Sequence, residues 1–377
     1  MDHAQKLFDW GVRTAIPYWL THAWDDRNGG FLESVTMSGA PVFDDTRRVR
    51  TQARQVHVFA CAAHEGWADS LGLAVRGMET LRERAWSPDG RPGWVHLLRP
   101  DGRVESDVRD FYDHAFILLA LAGLYRASGE GIYLDWAAEC LDFLDDEMSS
   151  TQGGYIESIG ARVLPRRQNP HMHLFEALMA LYEATGDTDV LDRATAIKSM
   201  FETVFMDAET GLLRENFAGD WSSMADDAGD ISEPGHMSEW GWLLAEYARL
   251  SGTAPSTQIG DLFKQVMAAG INRKSGALYT SIRFNGDVRD GGSRTWMQTE
   301  WVRAAAAQGP EAFDTACAAL LKHHIDPAYS GGWVDRIDDQ GRAASDHVPT
   351  STLYHLMGCV LEARQFAIIA ANAPSNP

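Results

Sequence analysis

Little in this chain points toward a polyanion, a membrane or an oxidising compartment. Basic residues are scarce: 33 Lys and Arg stand against 53 Asp and Glu, a formal charge of −20. A surface for nucleic acid or anionic lipid needs the opposite excess. No uninterrupted apolar run reaches the roughly 18 residues that span a bilayer. The longest, Ala115 to Leu124, reads as a buried helix. Cysteine is also sparse. Cys61, Cys140, Cys317 and Cys359 lie in apolar stretches without CxxC or zinc-ligand spacing, so they read as small core residues rather than as disulfides or ligands. The opening Met1 to Lys6 has neither the basic nor the apolar region of a signal peptide, which leads us to expect a cytoplasmic protein. No HExxH, Walker A or Rossmann glycine pattern occurs, so neither a metal nor another cofactor is expected.

What the chain does contain is a repeat. A glycine-led turn recurs as Gly29-Gly30-Phe31, Gly93-Trp94-Val95, Gly153-Gly154-Tyr155, Gly211-Leu212-Leu213, Gly276-Ala277-Leu278 and Gly331-Gly332-Trp333, roughly 55–65 residues apart. Apolar residues and then a polar one follow, as in Phe31-Leu32-Glu33, Tyr155-Ile156-Glu157 and Trp333-Val334-Asp335, which suits a short β-hairpin arm. Between arms the period becomes helical: Ile132 to Met148 then His171 to Thr185, Gly235 to Leu250 then Ile259 to Ala269. Phe175, Leu178, Met179 and Tyr182 show the i, i+3, i+4, i+7 spacing of one helix face. Asn169-Pro170 reads as a helix start, Ser232 as a cap before Pro234, and Thr185-Gly186-Asp187 as a stop. Two helices per repeat over residues 1–377, with apolar residues at both ends and no linker, predict one all-α domain, a closed (α/α)₆ barrel with short β-hairpin arms. An open solenoid would need polar capping repeats.

Polar residues gather at the start of every second helix. Arg50, Arg54 and His57 share a face; so do Asn169, His173 and Glu176, and His236 with Glu239; Trp296 and Thr299 adjoin Glu300, and His355 is seven residues from Glu362. In a six-helix ring these ends converge on one mouth, where aromatic faces and hydroxyl-binding groups would make a sugar pocket. Each residue also has a plainer reading. Asn169 can serve only as a cap, Glu176 and Glu362 as partners inside the bundle, and a helical histidine as a satisfied core group. His171 and His173, like His323 and His324, point to different sides of a helix and so do not form a metal pair. Arg162, Arg166 and Arg167 read either as an anion site or as a solvated loop.

At these residues the chain resembles the N-acylglucosamine 2-epimerase superfamily, which includes mannose isomerase, sulfoquinovose isomerase and cellobiose 2-epimerase. The resemblance runs through Gln52-Ala53-Arg54, Phe111-Tyr112-Asp113-His114, Asn169 to Ala177, Glu233 to Trp240, Thr295 to Glu300 and Tyr354-His355. It implies a sugar isomerase or 2-epimerase with His236 and His355 as acid and base. Arg54, Tyr112, Asn169, His173, Glu239 and Trp296 would line the pocket. His347, in Asp346-His347-Val348-Pro349, rivals His355; Tyr354-His355 with Glu362 following favours the latter. Met297 departs from the second tryptophan of many relatives. An aldose–ketose isomerase for a mannose-like free sugar is the first expectation, with a monomer or homodimer whose partner is the sugar. A 2-epimerase is the alternative, and a glycoside hydrolase using Asp113 with Glu239 or Glu300 is a more distant one.

Overall fold

The computed structural model describes residues 2–160 and 164–372. Helices alternate between two rings. The outer ring holds Asp2–Trp10 (running on through Gly11–Ala15 to Ile16–His22), Leu71–Ala85, Ile132–Phe143, Thr188–Met200, Gln258–Ala269 and Pro310–Leu320. The inner ring holds Val49–His64, Phe111–Ser128, Gln168–Thr185, Pro234–Ser251, Thr295–Ala306 and Leu353–Asn372, called the first to sixth inner helices below. Each inner helix packs against the next, and the sixth packs against the first. The ring is therefore closed, an (α/α)₆ barrel, and not an open solenoid.

Burial explains the sorting. The second inner helix is buried without a break from Asp113 to Leu124, as a helix with neighbours on every side must be. The outer helix Leu71–Ala85 buries one stripe, Ala74, Gly77, Met78, Leu81 and Ala85. Three inner helices end on a left-handed glycine, Gly129, Gly186 and Gly252. The expected starts need correction. Arg167, not Asn169, is the N-cap of the third inner helix, and Glu233, not Ser232, that of the fourth. Ser232 is instead buried, its hydroxyl 3.5 Å from the Met237 sulfur and its backbone paired with Ile282. Cys61, Cys140, Cys317 and Cys359 are all free thiols, and no helix among the described residues is long and apolar enough to cross a membrane.

The six glycine-led turns share one backbone bond. It joins Leu32 N to Ala23 O, Val95 N to Ala85 O, Ile156 N to Met148 O, Arg214 N to Phe205 O, Tyr279 N to Gly270 O and Val334 N to His324 O. Each turn thus folds back on the end of its outer helix. The arm then crosses the barrel rim and pairs with the segment preceding an inner helix. Arg47–Arg48 pairs with Leu97–Leu98, Arg109–Asp110 with Ser158–Ile159, Arg166–Arg167 with Asn216–Phe217, and Ser293–Arg294 with Arg336–Ile337. Ser34–Thr36 pairs with His347–Pro349 and joins the first repeat to the last. This belt fixes where every inner helix begins.

Some polar residues of the inner helices are spent on the belt. His171 Nε2 accepts the Tyr155 N–H at 3.0 Å, and His114 Nε2 accepts that of Trp94 at 3.0 Å. Gln52 Oε1 does the same for Phe31 at 2.7 Å. Gly154 has φ +62°, and a Cβ there would lie 2.6 Å from His171 Nε2, so the turn needs glycine for both conformation and approach. Arg166 donates to Gly153 O and Tyr155 O and lies over the Trp221 ring; Arg167 is paired with Glu157. Both side chains are thus engaged within the protein; Arg162 lies outside the described residues.

Candidate active site

Because the belt sets the helix starts at one rim, the N-terminal turns of the inner helices surround a common cavity of about 280 Å³. Arg54, Tyr112, Asn169, His173, His236, Glu239, Trp296 and His355 all line it, so every residue expected at the pocket is brought together there. Arg48, Arg50, Glu233, Arg294, Ser351 and Thr352 complete the wall. Of these, only Arg50 was visible as part of a helix face. Arg48, Glu233 and Arg294 are N-cap residues, and their common register one position before an inner helix is the signal that would have found them.

Two imidazoles dominate the chemistry. His236 donates through Nδ1 to Glu215 Oε2 at 2.9 Å, has Glu233 at 3.6 Å, and meets the Asn169 side-chain amide at Nε2 at 3.0 Å. His355 donates through Nδ1 to Glu300 Oε1 at 2.8 Å. The Trp296 ring lies between them, with its centroid 4.8 Å from His236 and 5.7 Å from His355. Gly235 permits this, because a Cβ there would come within 2.9 Å of the indole. Met297, which departs from the tryptophan pattern, is buried against Gly235 and does not line the cavity.

The two rings differ in charge. Burial opposes a charge on both. At His236 the nearby Glu215 and Glu233 carboxylates overcome it and push the imidazole up to about 10. At His355 burial is reinforced by the Arg54 and Arg303 guanidinia, and the ring is held well below its ordinary value, hence neutral. His173 is likewise held neutral, chiefly by burial, at about 4.

Beneath the imidazoles lies a buried acidic floor. Arg303 donates to Glu300 at 2.8 Å and Glu176 at 3.1 Å, and Glu176 also accepts from the Tyr354 hydroxyl. Glu239 is fully buried, yet neither of its carboxylate oxygens has a hydrogen-bond partner; His173 Nδ1 is 3.8 Å away. Burial, with Glu300 and Glu176 beside it, holds Glu239 well above the usual carboxylate range, so it is a neutral acid. The groups His173–Glu176–Glu239 and Glu239–Glu300–His355 lie close enough to enclose a cation. Spacing along the chain showed only the His173 and Glu176 pair on one helix; Glu239, Glu300 and His355 come from three others. The Arg303 guanidinium already provides the positive charge at that floor.

Several sequence readings change here. The carboxylate bonded to His236 is Glu215, on the fourth arm, which no helical spacing indicated; Glu239, one turn along, lines the cavity. Glu362 accepts from Trp242 Nε1 at 2.8 Å and does not meet His355. His57 turns away from the mouth toward Cys61 and the Leu119 carbonyl, at a separate small cavity. His347 sits on the outer rim, paired with Asp346, its side chain 54% exposed, and does not line the cavity. Asp113 is bonded to Arg50 and His96 behind the wall, so it forms no hydrolase pair with Glu239 or Glu300 across the cavity.

A ring of twelve helices around one polar cavity, with histidines, carboxylates and an indole at its floor, defines an (α/α)₆-barrel enzyme of the sugar isomerase and epimerase class. Comparison with known proteins gives the family: residues 29–359 match the model for N-acylglucosamine 2-epimerase (GlcNAc 2-epimerase), and the chain belongs to that family. It is 33% identical to mannose-6-phosphate isomerase of Rhizobium meliloti, over 95% of this chain and 96% of that one. It is 28% identical to D-mannose isomerase of Marinomonas mediterranea, over 89% and 91% of the two chains. A crystal structure of D-mannose isomerase superposes with a TM-score of 0.86 at 24% identity, covering 96% of this chain and 98% of that one. A family 76 glycoside hydrolase shares the fold at a TM-score of 0.67 and 13% identity.

Proposed function

We propose that the protein is an aldose–ketose isomerase for a mannose-like free sugar, with His355 as the base at C2 and His236 as the acid. The observation that carries this reading is two imidazoles on either side of one indole, each backed by its own carboxylate, with His236 protonated and His355 neutral. With the aldose ring open, neutral His355 takes the C2 proton while His236 donates toward the carbonyl oxygen at C1, giving a cis-enediol. Glu300 at Nδ1 steadies the imidazolium that forms on His355. Return of that proton to C1, with O2 surrendering its own proton to His236, yields the ketose and regenerates both groups. Arg54, held by Tyr112 Oη at 3.0 Å and lying over Phe116, is a preorganised donor for charge developing on a sugar oxygen.

Epimerisation at C2 needs the enediol to be reprotonated on its opposite face, by a group that alternates between base and acid. A standing acid facing a standing base favours one-base transfer. A cavity of about 280 Å³ suits a monosaccharide better than a disaccharide, lying just below the roughly 300–1,000 Å³ of ligand sites. The rim arginines bear on a phosphosugar substrate, a class named for the Rhizobium meliloti relative. Arg48 is paired with Glu33, Arg50 with Asp113 and Arg294 with Asp335, so much of their charge is compensated, which favours a neutral sugar.

The test is NMR in D₂O with mannose, glucose, N-acetylglucosamine, cellobiose and mannose 6-phosphate. Fructose forming from mannose, with exchange at C2, is expected. Glucose forming from mannose without ketose would make the enzyme a 2-epimerase. Turnover of mannose 6-phosphate in preference to mannose would overturn the free-sugar assignment.

A further inference from the structure

The arms position helices, and one of them also reaches the reacting groups. Four residues after the leading glycine of the fourth turn, Gly211, stands Glu215; Glu33, Glu157 and Asp335 hold the same place in their own repeats. Those three bond the belt and the helix starts: Glu33 accepts from Arg48 N and Thr51, Glu157 from Arg167 N, and Asp335 from Thr352. Glu215 keeps that duty, accepting from Glu233 N at 3.2 Å, but its second oxygen meets His236 Nδ1 at 2.9 Å and Gln168 Nε2 at 2.8 Å. Gln168 is in turn fixed by the Trp240 indole at 2.7 Å.

We propose that Glu215 is a positioning residue which, from the fourth arm, holds His236 as a doubly protonated imidazole with Nε2 toward the substrate and so restricts it to proton exchange with the sugar oxygens. The inference rests on the isomerase reading of this site. A carboxylate at Nδ1 keeps that nitrogen protonated and fixes the ring plane. At Nε2 the Asn169 side-chain nitrogen lies 3.0 Å away and its Oδ1 is buried without a partner; a half-turn of the amide exchanges the two and sets the oxygen to accept the second proton. The remaining groups facing the ring agree. Glu233 stands one turn before it at 3.6 Å, Glu239 one turn after it is a neutral acid, the Trp296 face covers it, and His355 opposite is uncharged. A structural carboxylate of the repeat has thus become the device that differentiates two otherwise similar histidines.

The experiment is a titration of ¹⁵N-histidine-labelled full-length protein, wild type and Glu215→Gln, with His236 resonances assigned through His236→Asn. Kinetics are measured on the same samples. In the wild type His236 is expected to be doubly protonated at pH 8. Glu215→Gln keeps the shape and the Glu233 N–H bond but removes the charge. The His236 midpoint is expected to fall by about one pH unit or more. kcat is expected to fall by about tenfold or more, while KM stays within about threefold. A neutral His236 in the wild type at pH 8 overturns the proposal even if the variant does not fold. So does a variant with an unmoved midpoint, or with kcat within about twofold of wild type. A merely structural Glu215 would lower the melting temperature and leave the midpoint in place. Failure of the isomerase reading shows separately, as C2 exchange that survives His355→Ala.

Discussion

Glu239→Gln separates two roles for the most deeply buried acid of the pocket. A glutamine has nearly the same shape and no charge. In the structure Glu239 is fully buried, has no hydrogen-bond partner at either oxygen, and is crowded by Glu176 and Glu300. An ionised carboxylate there would be a desolvated charge without compensation, whereas a neutral carboxyl can donate to a sugar hydroxyl. If the neutral form is the working one, glutamine replaces one hydrogen-bonding group by another. The difference is then at most one ordinary hydrogen bond, about 0.5–1.5 kcal/mol, or about tenfold in kcal-equivalent terms for kcat/KM. An ionised general base would instead lose about 10²- to 10⁴-fold. The gap between those ranges decides the matter. Stability at neutral pH should hold or rise, because glutamine is neutral without having to take up a proton on folding. The assay is kcat/KM for ketose formation from mannose, with a melting curve on the same sample. A folded variant that loses about a hundredfold or more would refute the neutral-acid reading.

Three further outcomes are expected. His355→Ala and His236→Ala should each lower turnover by about 10²- to 10⁴-fold, while His347→Ala, altering an exposed rim residue, should stay near wild type; C2 exchange and ketose assays compare them. Prolonged EDTA treatment should leave activity unchanged, since the charge at the pocket floor is supplied by Arg303; loss of activity restored by a divalent ion would reverse this. Acid should loosen the belt through His114 and His171, which burial holds down at about 4 and about 3. Their folded values lie below the unfolded value of about 6.5, so the stability they confer is complete above that pH and is lost as pH falls toward the folded values. By pH 5 the loss is about 2 kcal/mol per site, visible as a lower denaturation midpoint than at pH 7.5.

Much of this protein could be read from the chain because its signals are local and repeated. A glycine of positive φ stands at the same place in five of the six turns, at Gly29, Gly153, Gly211, Gly276 and Gly331, with Gly93 one place later, and reports a backbone conformation that other residues resist. Amphipathic period then separates helices from arms. The polar residues at alternate helix starts, Arg54, Asn169, His173, His236, Trp296 and His355, mark the mouth, since a ring of parallel inner helices must bring such ends together. None of this needs knowledge of distant contacts.

Pairings between repeats were decided by tertiary structure alone. His236 is 21 residues from Glu215, and His355 is 55 residues from Glu300, so no helical spacing links either pair. Spacing puts Glu239 one turn from the first and Glu362 two turns from the second, but residues one or two turns apart share a face without their side chains having to meet. His171 and His173 make the same point: two residues apart on one helix, one closes a backbone turn at Tyr155 and the other lines the pocket. Residue type and periodicity determined the barrel and the location of its mouth. Which histidine carries charge was decided by the carboxylates and guanidinia that ring closure places beside each one, because an electrostatic environment depends on distance in space and not on separation along the chain.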